Sequence, residues 1–150
     1  MPVSASKPTT ASTPSWSYIE FEGGVPVEFP EEHTTATLLE APLGERMFRI
    51  ESVPVMLEEH VSYGDTIEAD ATLDGGLRFI RVTKRGGWRT YDFLLSSDLV
   101  ESDHIVTIQN RVLSHGGHWE RVFGGLLFLC LPPTTDYDPT EDICNDPRQL

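Results

Sequence analysis

MFRIE (Met47–Glu51), TIEADA (Thr66–Ala71), LRFIRV (Leu77–Val82) and TYDFLL (Thr90–Leu95) are the runs that decide the fold of this chain. In each, apolar and polar residues alternate or nearly alternate. A half-buried strand requires that period of two, because successive side chains leave the backbone on opposite faces. Ile67, Ala69 and Ala71 fall on one face and Glu68 and Asp70 on the other. Turn signals separate the runs: Val53-Pro54 and Tyr63-Gly64-Asp65 between the first two, Asp74-Gly75 next, then Lys84-Arg85-Gly86-Gly87. Asp-Gly tolerates the left-handed backbone of a tight hairpin. The pattern predicts an antiparallel meander of three to four strands across residues 46–95.

Downstream the period changes. Ile105, Ile108 and Val112, with Leu113 beside them, recur at three- and four-residue steps and predict an amphipathic helix over about 103–114. Ser102 or Asp103 serves as its N-cap, and Gly116-Gly117 stops it. Trp119–Phe123 and Leu126–Leu131 flank Gly124-Gly125 as another hairpin, whose second strand is apolar throughout and so predicted central. Asp138-Pro139 opens one further helical turn through Ile143. Upstream, Trp16, Tyr18, Ile19 and Phe21 alternate before Gly23-Gly24, predicting a hairpin over 16–29 that Pro26 confines to a sheet edge. Residues 1–15, rich in Ser, Thr, Pro and Ala, read as a disordered leader. The expectation is one α+β domain over 16–150, a mostly antiparallel sheet with one main helix packed on it and a short C-terminal helix.

The 150 residues carry 24 Asp and Glu against 11 Lys and Arg, a formal net charge of −13. That balance argues against nucleic acid and anionic membrane as partners, since both require cationic groups to neutralise phosphate. It favours fast, salt-sensitive association with a basic protein. The acidity is uneven. Glu20–Glu59 holds ten acids and two arginines, and Asp136–Asp146 five acids and no base, whereas Gly75–Tyr91 holds five bases and no acid. The basic hairpin is expected to complement the acidic segments within the fold. No stretch approaches the ~20 apolar residues of a membrane helix, and the N-terminus lacks the apolar core of a secretion signal. The expected location is the cytoplasm, where Cys130 and Cys144 remain reduced.

No cluster forms a catalytic signature. His115-Gly-Gly-His118 offers two imidazoles without the further ligands that zinc requires, so it reads as a glycine turn, and no metal or cofactor is expected. His33, His60 and His104 stand beside carboxylates and read as surface residues. Tyr63-Gly64-Asp65 is the most distinctive tripeptide; a turn role suffices for it, because adjacent side chains point apart. The five Gly-Gly pairs sit at turns and make no phosphate loop.

Several of these pieces together resemble a family of small bacterial proteins known as domain of unknown function 4265. The likeness runs from Leu38 to Pro133. It rests on Leu39-Glu40-Ala41, Met47-Phe48-Arg49-Ile50 with Val53-Pro54, Val61-Ser62-Tyr63-Gly64-Asp65, Leu77-x-Phe79, the Gly87/Thr90 segment and Leu131-Pro132-Pro133. The chain departs from the pattern in lacking an aromatic beside Glu40 and in its N-terminal hairpin. The resemblance implies a stand-alone bacterial α+β domain and carries over no catalytic residue.

Small size, acidity and the lack of catalytic motifs lead to the expectation of a non-enzymatic, immunity-type protein that binds a cognate bacterial toxin and occludes a basic active-site cleft. The expected contact residues are Glu28, Glu31, Glu32, Glu58 and Glu59 in the first acidic segment and Tyr137, Asp138, Glu141 and Asp142 in the tail, with Trp16 and Tyr18 as further aromatic anchors. The alternatives are a small-molecule-binding or regulatory module, and an enzyme of unfamiliar type using Tyr63 and Asp65.

Overall fold

The computed structural model describes residues 24–149 apart from Leu39 and Glu58. The leader 1–15 and residues 16–23 of the expected first hairpin lie outside the described residues. Two compact units are present, one within Glu20–Trp88 and one within Arg89–Leu150.

The first unit is a sheet of β1 (Val25–Phe29), β2 (Thr34–Leu38), β3 (Glu40–Gly44), β4 (Met47–Ile50), β5 (Thr66–Ala71) and β6 (Leu77–Lys84), in the spatial order β2-β1-β6-β5-β4-β3. β2 and β3 stand at the two ends of that order, yet a single residue separates them in the chain. Two Cα steps of about 3.8 Å each cannot span a six-stranded sheet. The sheet therefore closes on itself, with β2 and β3 counting together as one wall that contributes to both edges. Counted this way the barrel has five strands in a meander, and an odd number of alternating strands leaves the first and last pointing the same way. The closing pair β1–β6 is accordingly parallel, with Val27 opposite Leu77 and Glu28 opposite Arg78. The sheet is thus mixed: mostly antiparallel, as expected, with one parallel seam that the meander expectation lacked. β1 is also interior, not an edge, and its hairpin partner is β2 on its C-terminal side. Pro26 is tolerated because the parallel ladder starts at Val27, one residue after it.

Val27, Phe29, Leu38, Ile50, Ile67, Ala69 and Leu77 fill the interior together with Leu57 and Val61 from the 51–65 loop. Full burial of each of these Val, Leu, Ile and Phe side chains contributes about 1.5–3 kcal/mol. Eight residues of β6 face six of β5, so the register slips twice, between Thr66 and Ile67 and between Glu68 and Ala69. Each slip is a bulge that sharpens twist and helps a small sheet curl.

The second unit is a three-stranded sheet of β7 (Arg89–Leu94), β9 (Leu126–Leu131) and β8 (His118–Val122), in that order and antiparallel. The run at 90–95 is therefore not the fourth strand of the 46–95 meander; it pairs with β9, as predicted central. Helices α1 (Ser97–Val100), α2 (Asp103–Ser114) and α3 (Thr140–Cys144) complete the unit. Ile105, Ile108 and Val112 of α2 pack with Leu127, Leu129 and Leu131, the alternate residues on one face of β9, and with Ile143 of α3. Ser102 caps α2, its Oγ accepting a bond from the Ile105 N–H at 3.3 Å. Leu113 stays half exposed, off the buried stripe. Gly117 closes the helix by donating to the Val112 carbonyl at 2.9 Å, and a side chain there would run into the Cys130 carbonyl.

Candidate functional site

Tyr63-Gly64-Asp65 folds into a knot with Arg85-Gly86-Gly87-Trp88. The buried Asp65 carboxylate accepts bonds from the Ser62 N–H, the Gly86 N–H and the Arg85 guanidinium, each at 2.9 Å. Arg85 also donates to the His60 carbonyl at 3.3 Å. Gly64 has φ +88°, a left-handed backbone that favours glycine, and a Cβ on it would enter the Trp88 indole. The Tyr63 ring meets the same indole edge-on at 4.8 Å. Tyr63 thus turns to Trp88 while Asp65 turns to Arg85 and Gly86, so the two do not converge on a common point. The carboxylate ties the loop before β5 to the segment after β6.

Three bases of the basic hairpin, Arg78, Arg81 and Arg85, pair with acids of their own unit. Arg78 reaches Glu28 at 3.0 Å, Arg81 reaches Glu68 at 3.0 Å, and Arg46 bridges Glu68 at 3.1 Å and Asp70 at 2.6 Å. These pairs form an ion ladder along the solvent face of β1, β6 and β5. Glu28, expected as a contact residue, is one of its rungs. Glu32 lies 3.5 Å from the His60 ring. Glu31 and Glu59 are exposed and make no hydrogen bond or ion pair among the described residues; Glu58 lies outside them. Glu31, Glu32 and Glu59 line a surface groove of about 450 Å³ whose floor includes Phe79, Ile80 and Val82 of β6.

The tail residues behave differently. Tyr137 donates its hydroxyl to Asp142 at 2.7 Å, and Arg111 of α2 donates to the same carboxylate oxygen at 2.9 Å. Burial, and then the bond to Asp142, push the Tyr137 hydroxyl up to about 12. His115 stacks on the Tyr137 ring with centroids 4.9 Å apart and bonds the Thr135 hydroxyl at 2.8 Å. Asp138 accepts from the Thr140 N–H at 2.9 Å at the start of α3, and its hydrogen bonds to Thr140 hold it below the usual carboxylate range. Tyr137 and Asp142 therefore fix the loop and α3 onto α2, while Asp138 braces the first residue of α3. Glu141 alone of the four tail residues is exposed without a side-chain partner among the described residues. The two histidines of His-Gly-Gly-His separate: His118 lies 2.7 Å from Glu120 on β8, while His115 joins the Tyr137 stack. No group of three metal-binding side chains occurs among the described residues. Cys130 is buried, which raises its thiol pKa, and Cys144 is exposed; both are free.

Sequence reasoning named the acids of the groove but not the groove itself. Its floor depends on where β1 leaves β6, and neither the parallel pairing nor the bulges leave a periodic signal. It also passed over Glu40, whose carboxyl is pushed up to about 7, first by burial and then by the neighbouring Glu51.

The profile of a family described as a domain of unknown function (DUF4265) matches residues 36–149. The chain belongs to this family. The DUF4265 match takes in β3 to β9, all three helices and both halves of the Asp65 knot, and it begins within β2. No curated protein matches the chain. Among solved structures it is similar to a hypothetical protein from Neisseria gonorrhoeae, at 17% identity and a TM-score of 0.54, over 82% of this chain and 83% of that one. At that identity the likeness concerns the fold. No helix among the described residues is long and apolar enough to cross a membrane.

Proposed function

We propose that this DUF4265 domain is a non-enzymatic, cytoplasmic, immunity-type protein that binds a cognate bacterial toxin and occludes its basic active-site cleft. The observation that carries the reading is a division of labour among the polar residues. The clusters with catalytic appearance, Tyr63/Asp65 and His115/His118, are engaged in internal contacts, whereas Glu31, Glu59 and Glu141 face solvent without a side-chain partner among the described residues. Exposed carboxylates without internal partners can pair with a partner's Lys or Arg while giving up no intramolecular bond. A charge of −13 adds long-range steering, so salt acts mainly on the association rate.

The test is direct binding to the product of the neighbouring gene, measured by surface plasmon resonance at two salt concentrations. The expected result is tight binding, with an association rate that falls at least tenfold between about 50 and 500 mM salt and a dissociation rate that changes little. Charge reversal of Glu31 and Glu59 to Lys should lower the association rate further. Absence of binding, together with cells that tolerate the neighbour's product equally well without this protein, would sink the proposal.

A further inference from the structure

The groove beside β6 lies where the barrel wall is incomplete. β1 pairs with β6 only at Val27–Leu77 and Glu28–Arg78, then turns away through the 3-10 turn Pro30–Glu32. The Phe29 ring still meets Phe79, with centroids 4.9 Å apart. Beyond that point residues 79–84 have β5 on one side and no strand on the other among the described residues. From Ile80 onward the backbone has no ladder partner but β5 among the described residues, and no turn or loop bond. Backbone donors and acceptors alternate sides along a strand, so about half of these residues point N–H and C=O groups into the groove. An open row of this kind is a template for an added strand.

The walls specify what could lie there. Ile80 is 40% exposed, and with Phe79 and Val82 it offers an apolar floor. On the basic wall, Arg81 and Arg85 are already paired with Glu68 and Asp65. On the acidic wall Glu32 faces His60, but Glu31 and Glu59 have no partner among the described residues. The uncompensated charge of the groove is therefore negative.

We infer that this groove seats an extended segment of a partner protein with alternating basic and apolar residues, held by main-chain bonds to residues 79–84 and by Lys or Arg side chains on Glu31 and Glu59. The inference deepens the toxin-binding reading, because it names the surface of the domain and the kind of partner segment; the seat itself does not depend on the partner being a toxin. The chain's own N-terminal run Trp16–Phe21 has the alternation but the wrong charge: Glu20 and Glu22 stand in and beside it, and Lys7 is the one base before residue 24.

Three labelled peptides test the seat on the full-length protein by fluorescence anisotropy: (Lys-Val)4, (Glu-Val)4, and a version of the first with two central valines replaced by proline. The lysine peptide should bind at least tenfold more tightly than either of the others. The proline peptide keeps all of its charge but lacks two N–H donors. Glu31→Gln with Glu59→Gln, both on the surface, should weaken the lysine peptide at least fivefold. Hydrogen exchange should slow on peptide binding at the 79–84 amides that face away from β5. Equal binding of the lysine and proline peptides, or protection that appears elsewhere, overturns the inference. So does slow exchange of those amides before any peptide is added, which would mean that the chain's own segment fills the groove. If the lysine peptide binds and the neighbouring gene product does not, the toxin reading fails and the seat stands. If the neighbour binds and excess lysine peptide does not compete with it, the seat fails as its docking surface and the toxin reading stands.

Discussion

Replacing Asp65 with Ala removes the centre of the knot between the loop before β5 and the segment after β6. The carboxylate receives two backbone N–H bonds and one guanidinium bond, all at 2.9 Å, and its side chain is 3% exposed. Bonds to a buried charged group contribute about 1.5–3 kcal/mol each. Arg85 is 62% exposed, so its bond is screened and belongs near the low end. Ser62 and Gly86 are half-buried, and water recovers part of what their amides lose. The expected cost is about 3–4 kcal/mol, a large share of the ~5–15 kcal/mol of an ordinary domain. With a urea slope of about 1.5 kcal/mol per M, the midpoint should fall by about 2 M. Trp88 emission reports the transition locally, because the indole packs over Gly64 and Tyr63. Arg85→Ala should cost about 1 kcal/mol, and a double-mutant cycle should return a coupling of similar size. If Asp65→Ala stayed within 1 kcal/mol of the parent, the carboxylate would not be the fastener described. Were partner binding then lost from a stable variant, a direct functional role for Asp65 would take its place.

Glu40 makes stability depend on pH. Its carboxyl titrates at about 7 in the fold against an ordinary 4.5, so the fold favours the neutral form. This contribution is fully present below about pH 4.5 and is lost as pH rises through 7. After a discount for partial exposure, Glu40→Gln should gain about 1 kcal/mol relative to the parent at pH 8 and nothing at pH 4; parallel urea curves at the two pH values would contradict this. Gly64→Ala must hold φ +88° and displace the Trp88 ring, at a cost of about 3 kcal/mol in thermal or urea unfolding; an unchanged midpoint would refute the packing. Cys144 should react with a thiol reagent in the native state while Cys130 waits for unfolding, so mass spectrometry should find one adduct before denaturant and two after.

The strands were legible wherever one side of each met the core and the other met water. β4, β5 and the first half of β6 alternate cleanly, and α2 carries its period and its cap at Ser102. The assignment of strands to sheets was not legible. Arg89–Leu94 alternates just as β5 does, and nothing local tells it to pair with Leu126–Leu131 across some forty residues. β2 and β3 were missed because Thr34–Gly44 is largely polar or exposed and carries Pro42, although the run supplies two walls of the barrel. Of the expected contact residues, Glu31, Glu59 and Glu141 are exposed without a side-chain partner among the described residues. Charge pattern alone could not reveal that Glu28 and Asp142 have internal partners, since Arg78 and Arg111 lie 50 and 31 residues away.

The parallel closure of the barrel also has a kinetic side. The pair β1–β6 joins segments about fifty residues apart through two residue pairs, whereas every other seam joins neighbours in the chain through longer ladders. Loop-closure entropy makes such a seam the last to zip during folding, and its short ladder makes it the first to part in the native state. Breathing at that seam lengthens the open edge of β6 toward Leu77. The fold thereby lets the already open edge extend by two residue pairs, through a fluctuation far smaller than unfolding.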